Sequence, residues 1–180
     1  MKPLFALSVS LGVLLGAAGA ARADVFVLTN DNGGDGYVTS IAGGFDVVGG
    51  NNGVPNTTNY LAVASTNETV SFNWSYSTQD SGAGFDPAGY VLNGAQIQLS
   101  TDLWAGPGTN LGNGTVSFSV SAGQNYGVYV YTVDGFGGAG DIAVTDLVVQ
   151  AAPSPLPGAG IAGLAVLILA FAARTRGFLV

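Results

Sequence analysis

Residues 69–78 read TVSFNWSYST, and the alternation in them is strict. Val70, Phe72, Trp74 and Tyr76 form one set; Thr69, Ser71, Asn73, Ser75 and Ser77 form the other. Successive side chains of a strand point to opposite faces, so this period of two specifies a strand with one face in a core and one in water. TVSFSVS at 115–121 repeats the pattern, with Val116, Phe118 and Val120 inward. In GYVLNGAQIQLS, Asn93-Gly94 supplies the two positive-φ positions of a type I′ turn between Tyr90–Leu92 and Gln96–Leu99. Further strands are predicted at Val25–Thr29, Tyr37–Ile41, Phe45–Val48, Tyr60–Ala64, Tyr126–Val133 and Ile142–Val149. About ten short strands at hairpin spacing, in a stretch rich in Gly, Asn, Ser, Thr, Val and Tyr, predict an all-β antiparallel sandwich or jelly roll over residues 24–150.

Charge is distributed unusually. All four basic residues, Lys2, Arg22, Arg174 and Arg176, lie in the two apolar ends, and all eleven acids lie between Asp24 and Asp146. The body therefore repels phosphate backbones, which excludes nucleic acid as a partner. None of its carboxylates has a cationic side chain to pair with; each must be solvated, hydrogen-bonded or placed on a metal ion. The chain has no cysteine and no histidine. This removes a disulfide framework, Ser-His-Asp and Cys-His nucleophiles and the usual zinc sites. Only paired carboxylates acting on a glycosidic bond would remain as catalysts, and nothing in the sequence selects such a pair. The chain reads as a non-enzyme.

The ends read as addresses. Residues 1–23 have the parts of a secretory signal peptide in order: Lys2, the apolar run Leu4–Ala18, and the A-x-A site Ala21-Arg22-Ala23. Residues 151–157, AAPSPLP, form a proline-rich linker, and 158–173 are sixteen uncharged residues. As a transmembrane helix these would reach only ~24 Å, somewhat under a typical hydrocarbon thickness of ~30 Å. Arg174 and Arg176, in the short basic tail 174–180, can snorkel and would stay cytoplasmic, leaving the body outside.

This order of parts resembles the PEP-CTERM class of bacterial sorting signals. SPLPGAG at 154–160 resembles its Val-Pro-Leu-Pro-Ala variant, with Pro155, Leu156 and Pro157 matching the core and Ser154 where valine is usual. The resemblance implies an exosortase-type membrane peptidase as partner and transient residence in the inner membrane. Delivery to the cell surface or an exopolysaccharide matrix would follow. Residues 70–147 also resemble a β-sandwich module found among such proteins and, more remotely, CUB-type jelly rolls.

Two binding chemistries suit the body. Calcium takes oxygen ligands, which are abundant. Asp31 and Asp35 in NDNGGDG resemble the start of a calcium loop, but Gly33 occupies a ligand position and no glutamate closes the loop. Asp80, Asp86 in GFDPAGY and Asp134 in TVDGFGG follow the order of acids that the CUB resemblance implies for a calcium site. Two readings of those three stand: a shared divalent cation, or separate turn aspartates each bonding its own backbone. The second chemistry is carbohydrate stacking. Tyr129 and Tyr131 alternate with Val128 and Val130, which assigns them to an exposed face, and Trp104 lies in the loop LWAGPG. The sequence thus predicts an exported, non-enzymatic surface or matrix protein, with a calcium-dependent carbohydrate-binding module as the alternative.

Overall fold

The computed structural model describes residues 24–101 and 109–152. The expected signal peptide with Ala21 and Ala23, Trp104, and the expected sorting motif and tail with Pro155, Leu156, Pro157, Arg174 and Arg176 lie outside the described residues. Among the described residues no helix is long and apolar enough to cross a membrane.

Ten strands form two five-stranded antiparallel sheets. They are β1 (Val27–Asn30), β2 (Tyr37–Ile41), β3 (Gly44–Val48), β4 (Asn56–Val63), β5 (Glu68–Thr78), β6 (Ala88–Leu92), β7 (Ala95–Gln98), β8 (Thr109–Val120), β9 (Asn125–Thr132) and β10 (Gly140–Ala151). One sheet runs β1-β4-β9-β6-β7, the other β2-β3-β10-β5-β8. The expected all-β sandwich is present, with one 3-10 turn, Ala83–Phe85, as the helical element among the described residues.

The alternation on β5 places Val70, Phe72 and Tyr76 in the core and Trp74 against it. Val47, Val128, Val130, Ile142 and Val144 complete the interior from both sheets. Each such buried side chain contributes roughly 1.5–3 kcal/mol. Asn93 and Gly94 have φ of 50° and 80°, as the type I′ hairpin between β6 and β7 requires. Two strands start earlier than expected, β8 at Thr109 rather than Thr115 and β4 at Asn56 rather than Tyr60. Asn56 and Thr58 are fully buried although polar, because β4 lies between β1 and β9 and their register is that of Tyr60.

β5 and β10 run the length of the sandwich, with Gly140 opposite Thr78 at one end and Ala151 opposite Glu68 at the other. Ten residues of strand separate these poles by ~33 Å. The loops 31–36, 49–55, 79–87 and 133–139 gather at the first pole, the loop pole, where Gly53 N–H donates to the Gly135 carbonyl (2.9 Å) and Gln79 N–H to that of Ala139 (3.0 Å). Both ends of the described body emerge at the second. Asp24 there accepts from Ser65 N–H (3.3 Å), and Ala152 N–H donates to the Asn67 carbonyl (2.6 Å).

Candidate functional site

The loop pole is polar inside as well as out. Extending the inward register of β5 beyond Tyr76 gives Thr78, and extending that of β9 beyond Val130 gives Thr132; both are fully buried. Asp86, just after the 3-10 turn, is also fully buried and sits between them. Thr78 Oγ1 donates to its Oδ2 (2.9 Å), and the Tyr76 hydroxyl donates to its backbone carbonyl (2.8 Å). Asp86 Oδ1 is buried without a hydrogen-bond partner, as are Asn56 Oδ1 and Thr58 Oγ1. Burial pushes the Asp86 carboxyl up to about 6, the charges of Asp80 and Asp134 add to the rise, and the Thr78 and Thr132 hydroxyls oppose it.

The structure therefore brings Asp80, Asp86 and Asp134 within electrostatic reach of one another. It also gives Asp80 and Asp134 local partners. Asp80 Oδ1 accepts from the Ser81 backbone N–H and from Ser81 Oγ (3.0 Å), and Asp134 Oδ1 accepts from Phe136 N–H (2.9 Å). These are the bonds of turn aspartates. The Asp80 carboxylate lies so close to Gly137, at φ 86°, that a Cβ there would fall 2.7 Å from it. No three of the described acids converge as a metal-holding group.

Asp31 and Asp35 lie at the same pole and brace it. Asp31 Oδ1 accepts from Thr57 N–H and Asp35 Oδ1 from Asn51 N–H (2.8 Å), tying the first loop to residues 51–57. Asn32 and Gly33 have φ of 47° and 74°, a tight Asn-Gly turn.

The aromatic candidates fare differently from expectation. Tyr129 is not exposed: it is 4% accessible, and burial raises its phenol. β9 is the central strand of its sheet, flanked there by Asn59 of β4 and Gly89 of β6, so period two alone did not make its outer face open. Tyr131 is half-buried opposite Thr57. Among the described residues the most exposed ring at the loop pole is Phe136, 64% accessible against 52% for Tyr37 at the start of β2, and the strand alternation did not single it out. Its ring rests on Gly53, at φ 84°, where an added Cβ would lie 3.1 Å from it. The signal for it was present: a lone aromatic between glycines in DGFGG belongs to no strand register and has no core to enter.

A flat apolar ring thus stands in solvent on a hydrogen-bonded loop, with the half-buried Asp134 carboxylate two residues away as an acceptor and no cation among the described side chains. Such a surface can stack on an apolar face and accept hydroxyl hydrogen bonds. It offers no nucleophile–base pair.

Three solved structures are similar to the sandwich. One is described as the native structure of a family 35 carbohydrate binding module from Clostridium thermocellum, at 14% identity and TM-score 0.40, covering 73% of this chain and 100% of that one. Another is CBM35 from Paenibacillus barcinonensis, at 13% identity and TM-score 0.32, covering 72% and 93%. A third, a family 35 carbohydrate binding module from an environmental isolate, has 22% identity and TM-score 0.34, covering 73% and 95%. These likenesses are too distant to carry any site residue across. No family model and no curated protein matches the chain.

Proposed function

We propose that the chain is a non-catalytic carbohydrate-binding module that works outside the cell. The observation that carries this reading is Phe136, an exposed ring braced on Gly53 at the crest of the loop pole. Sugar rings present C–H faces that stack on aromatic rings and hydroxyls that donate to carboxylates. The body has eleven acids and no basic side chain, so its ligand is a neutral polysaccharide rather than an acidic one.

The address follows the leader and tail. A signal peptidase removes residues 1–23 after Ala23, and an exosortase-type peptidase acts near Pro155–Pro157 before release to the surface or matrix. The geometry suits this route. Leader and tail join the body at the same pole, ~33 Å of strand away from Phe136, so a chain held by either end presents its loop pole outward.

Calcium has one observation in its favour, the buried and partnerless Oδ1 of Asp86. Its oxygens, with those of Asp80 and Asp134, are the hard donors that calcium takes, and the ion would relieve their mutual repulsion. The local bonds of Asp80 and Asp134 weigh against a shared ion, and the stacking reading stands without one.

The test is binding of the exported chain to a panel of neutral polysaccharides, by affinity electrophoresis and calorimetry, with calcium and with chelator. Saturable binding that falls at least tenfold in Phe136→Ala, at unchanged thermal stability, is expected. Binding that survives this substitution, or no saturable binding to any neutral glycan, refutes the site. Binding abolished by chelator would restore calcium to it.

A further inference from the structure

The pole opposite the sugar site holds another buried carboxylate with an unbonded oxygen. Glu68 occupies the inward position of β5 preceding Val70 and is 4% accessible. Its Oε1 accepts from Thr66 Oγ1 (3.1 Å) and Ser65 Oγ (3.3 Å), while Oε2 is buried without a partner. A second carboxylate lies beside it. Asp24 Oδ1 accepts from the N–H of the same Ser65 (3.3 Å), and Oδ2 from the Tyr126 hydroxyl (2.9 Å). The titratable groups facing this point are Asp24, Glu68 and Tyr126, all neutral or anionic. Burial pushes the Glu68 carboxyl up, and the Asp24 carboxylate adds to the rise. No cationic side chain exists anywhere between Asp24 and Ala152 to relieve the pair.

One cation can arise here. Asp24 is the residue that follows the A-x-A site, and hydrolysis of the Ala23–Asp24 amide adds one water, leaving a carboxylate on Ala23 and an ammonium group on Asp24. We propose that this new α-ammonium group is the missing partner of Glu68, so that removal of the leader locks the terminal pole of the body. The inference rests on the leader reading given above and is independent of the sugar site. Position favours it. Two residues on, Phe26 packs its ring against Tyr60 (5.2 Å), Tyr126 (5.6 Å) and Phe45 (5.8 Å). The newly freed end is thereby held at the sheet rather than released to solvent. The α-nitrogen lies only two carbons from the carboxylate carbon of Asp24, and that carboxylate interacts directly with Glu68. A buried carboxylate without a partner is destabilising, and a well-bonded ion pair recovers much of that loss.

The test compares the exported chain carrying a free Asp24 amine with the same chain acetylated at that amine. At pH 6.5 the free form should fold with an equilibrium constant at least tenfold larger by urea unfolding. The difference should vanish at pH 10, where the amine is neutral, and in Glu68→Gln. If Glu68→Gln does not fold, titration of the α-amine in the unsubstituted chain by NMR decides. Its pKa should stand at least one unit above the ordinary α-amino range of about 7.7–8.0. Equal stability of free and acetylated forms, or an ordinary titration, overturns the proposal. So does N-terminal sequencing that finds the natural protein starting at any residue other than Asp24, and that result would refute the leader boundary while leaving the sugar site untouched.

Discussion

Asp86 should make this protein more stable in mildly acidic solution than in alkaline solution, and Asp86→Asn should flatten that dependence. The carboxyl is fully buried and titrates at about 6 in the folded chain, against an ordinary value of 3.8. The folded state thus holds its proton more tightly than the unfolded one. Below pH 3.8 both states are protonated and the full advantage, ~3 kcal/mol for about two pKa units, is present. As pH rises through 6 the folded state must ionise a group that burial and the charges of Asp80 and Asp134 oppose, and the advantage is lost. Most of the remaining change falls between pH 5 and pH 8. At pH 5 the folded carboxyl is still about one unit below its titration point, which leaves ~1.4 kcal/mol to lose. Asparagine keeps a carbonyl to accept from Thr78 Oγ1 and carries no proton to titrate. Urea unfolding followed by tryptophan fluorescence at pH 5, 6, 7 and 8 measures both slopes. Asp46 is also pushed up to about 6, by burial and then the charge of Asp141, so the unsubstituted chain should lose more than Asp86 alone explains. The difference between the two slopes, ~1.4 kcal/mol, isolates Asp86. Parallel curves for the two proteins would show that Asp86 titrates alike in the folded and unfolded chains, and the account of the buried corner would be wrong.

Other substitutions test single contacts. Tyr76→Phe removes the hydroxyl that donates to the Asp86 carbonyl and should cost ~1–3 kcal/mol in urea unfolding, since the acceptor stays buried. Gly53→Ala strains a φ of 84° and meets the Phe136 ring; polysaccharide affinity should fall more than the ~1 kcal/mol lost in stability. Gly94→Val should destabilise the hairpin by more than ~1 kcal/mol, measured by thermal melting, because φ of 80° is strained for a β-branched residue.

The fold was legible because its signal is repeated. Each of β5, β8 and β9 carries three or more apolar residues at period two, and Asn93-Gly94 marks its own turn. The start of β4 was not legible, since Asn56-Thr57-Thr58-Asn59 has the composition of a loop and only burial between two strands makes it strand. The grouping of Asp80, Asp86 and Asp134 was readable from the order of loops, yet their hydrogen bonds depend on loop conformation that order does not specify. Tyr129 shows the limit of periodicity, which assigns a residue to a face and is silent on whether that face is open. Phe136 is illegible to periodicity for the opposite reason: it lies between β9 and β10 and belongs to no strand register, so the alternation says nothing about it.

A body without cationic side chains has few ways to hold a buried carboxylate: a proton, hydroxyl and amide donors, an ion from solution, or its own terminus. Asp86 and Asp46 draw on the first, titrating two units high, and Thr78, Thr132 and Ser77 supply the second to Asp86 and Asp141. Glu68 has hydroxyls on one oxygen and nothing on the other. Replacing Asp46 or Asp86 by its amide should therefore stabilise the domain at neutral pH, the reverse of what is usual for a carboxylate that pairs with arginine or lysine. Their retention is then a matter of what the charge does at each pole. At the loop pole Asp134 keeps an acceptor beside an exposed ring; at the terminal pole, on the proposal made above, Glu68 ties stability to removal of the leader. On that proposal a chain still carrying residues 1–23 should be the weaker fold, and urea unfolding of the two forms compares them directly.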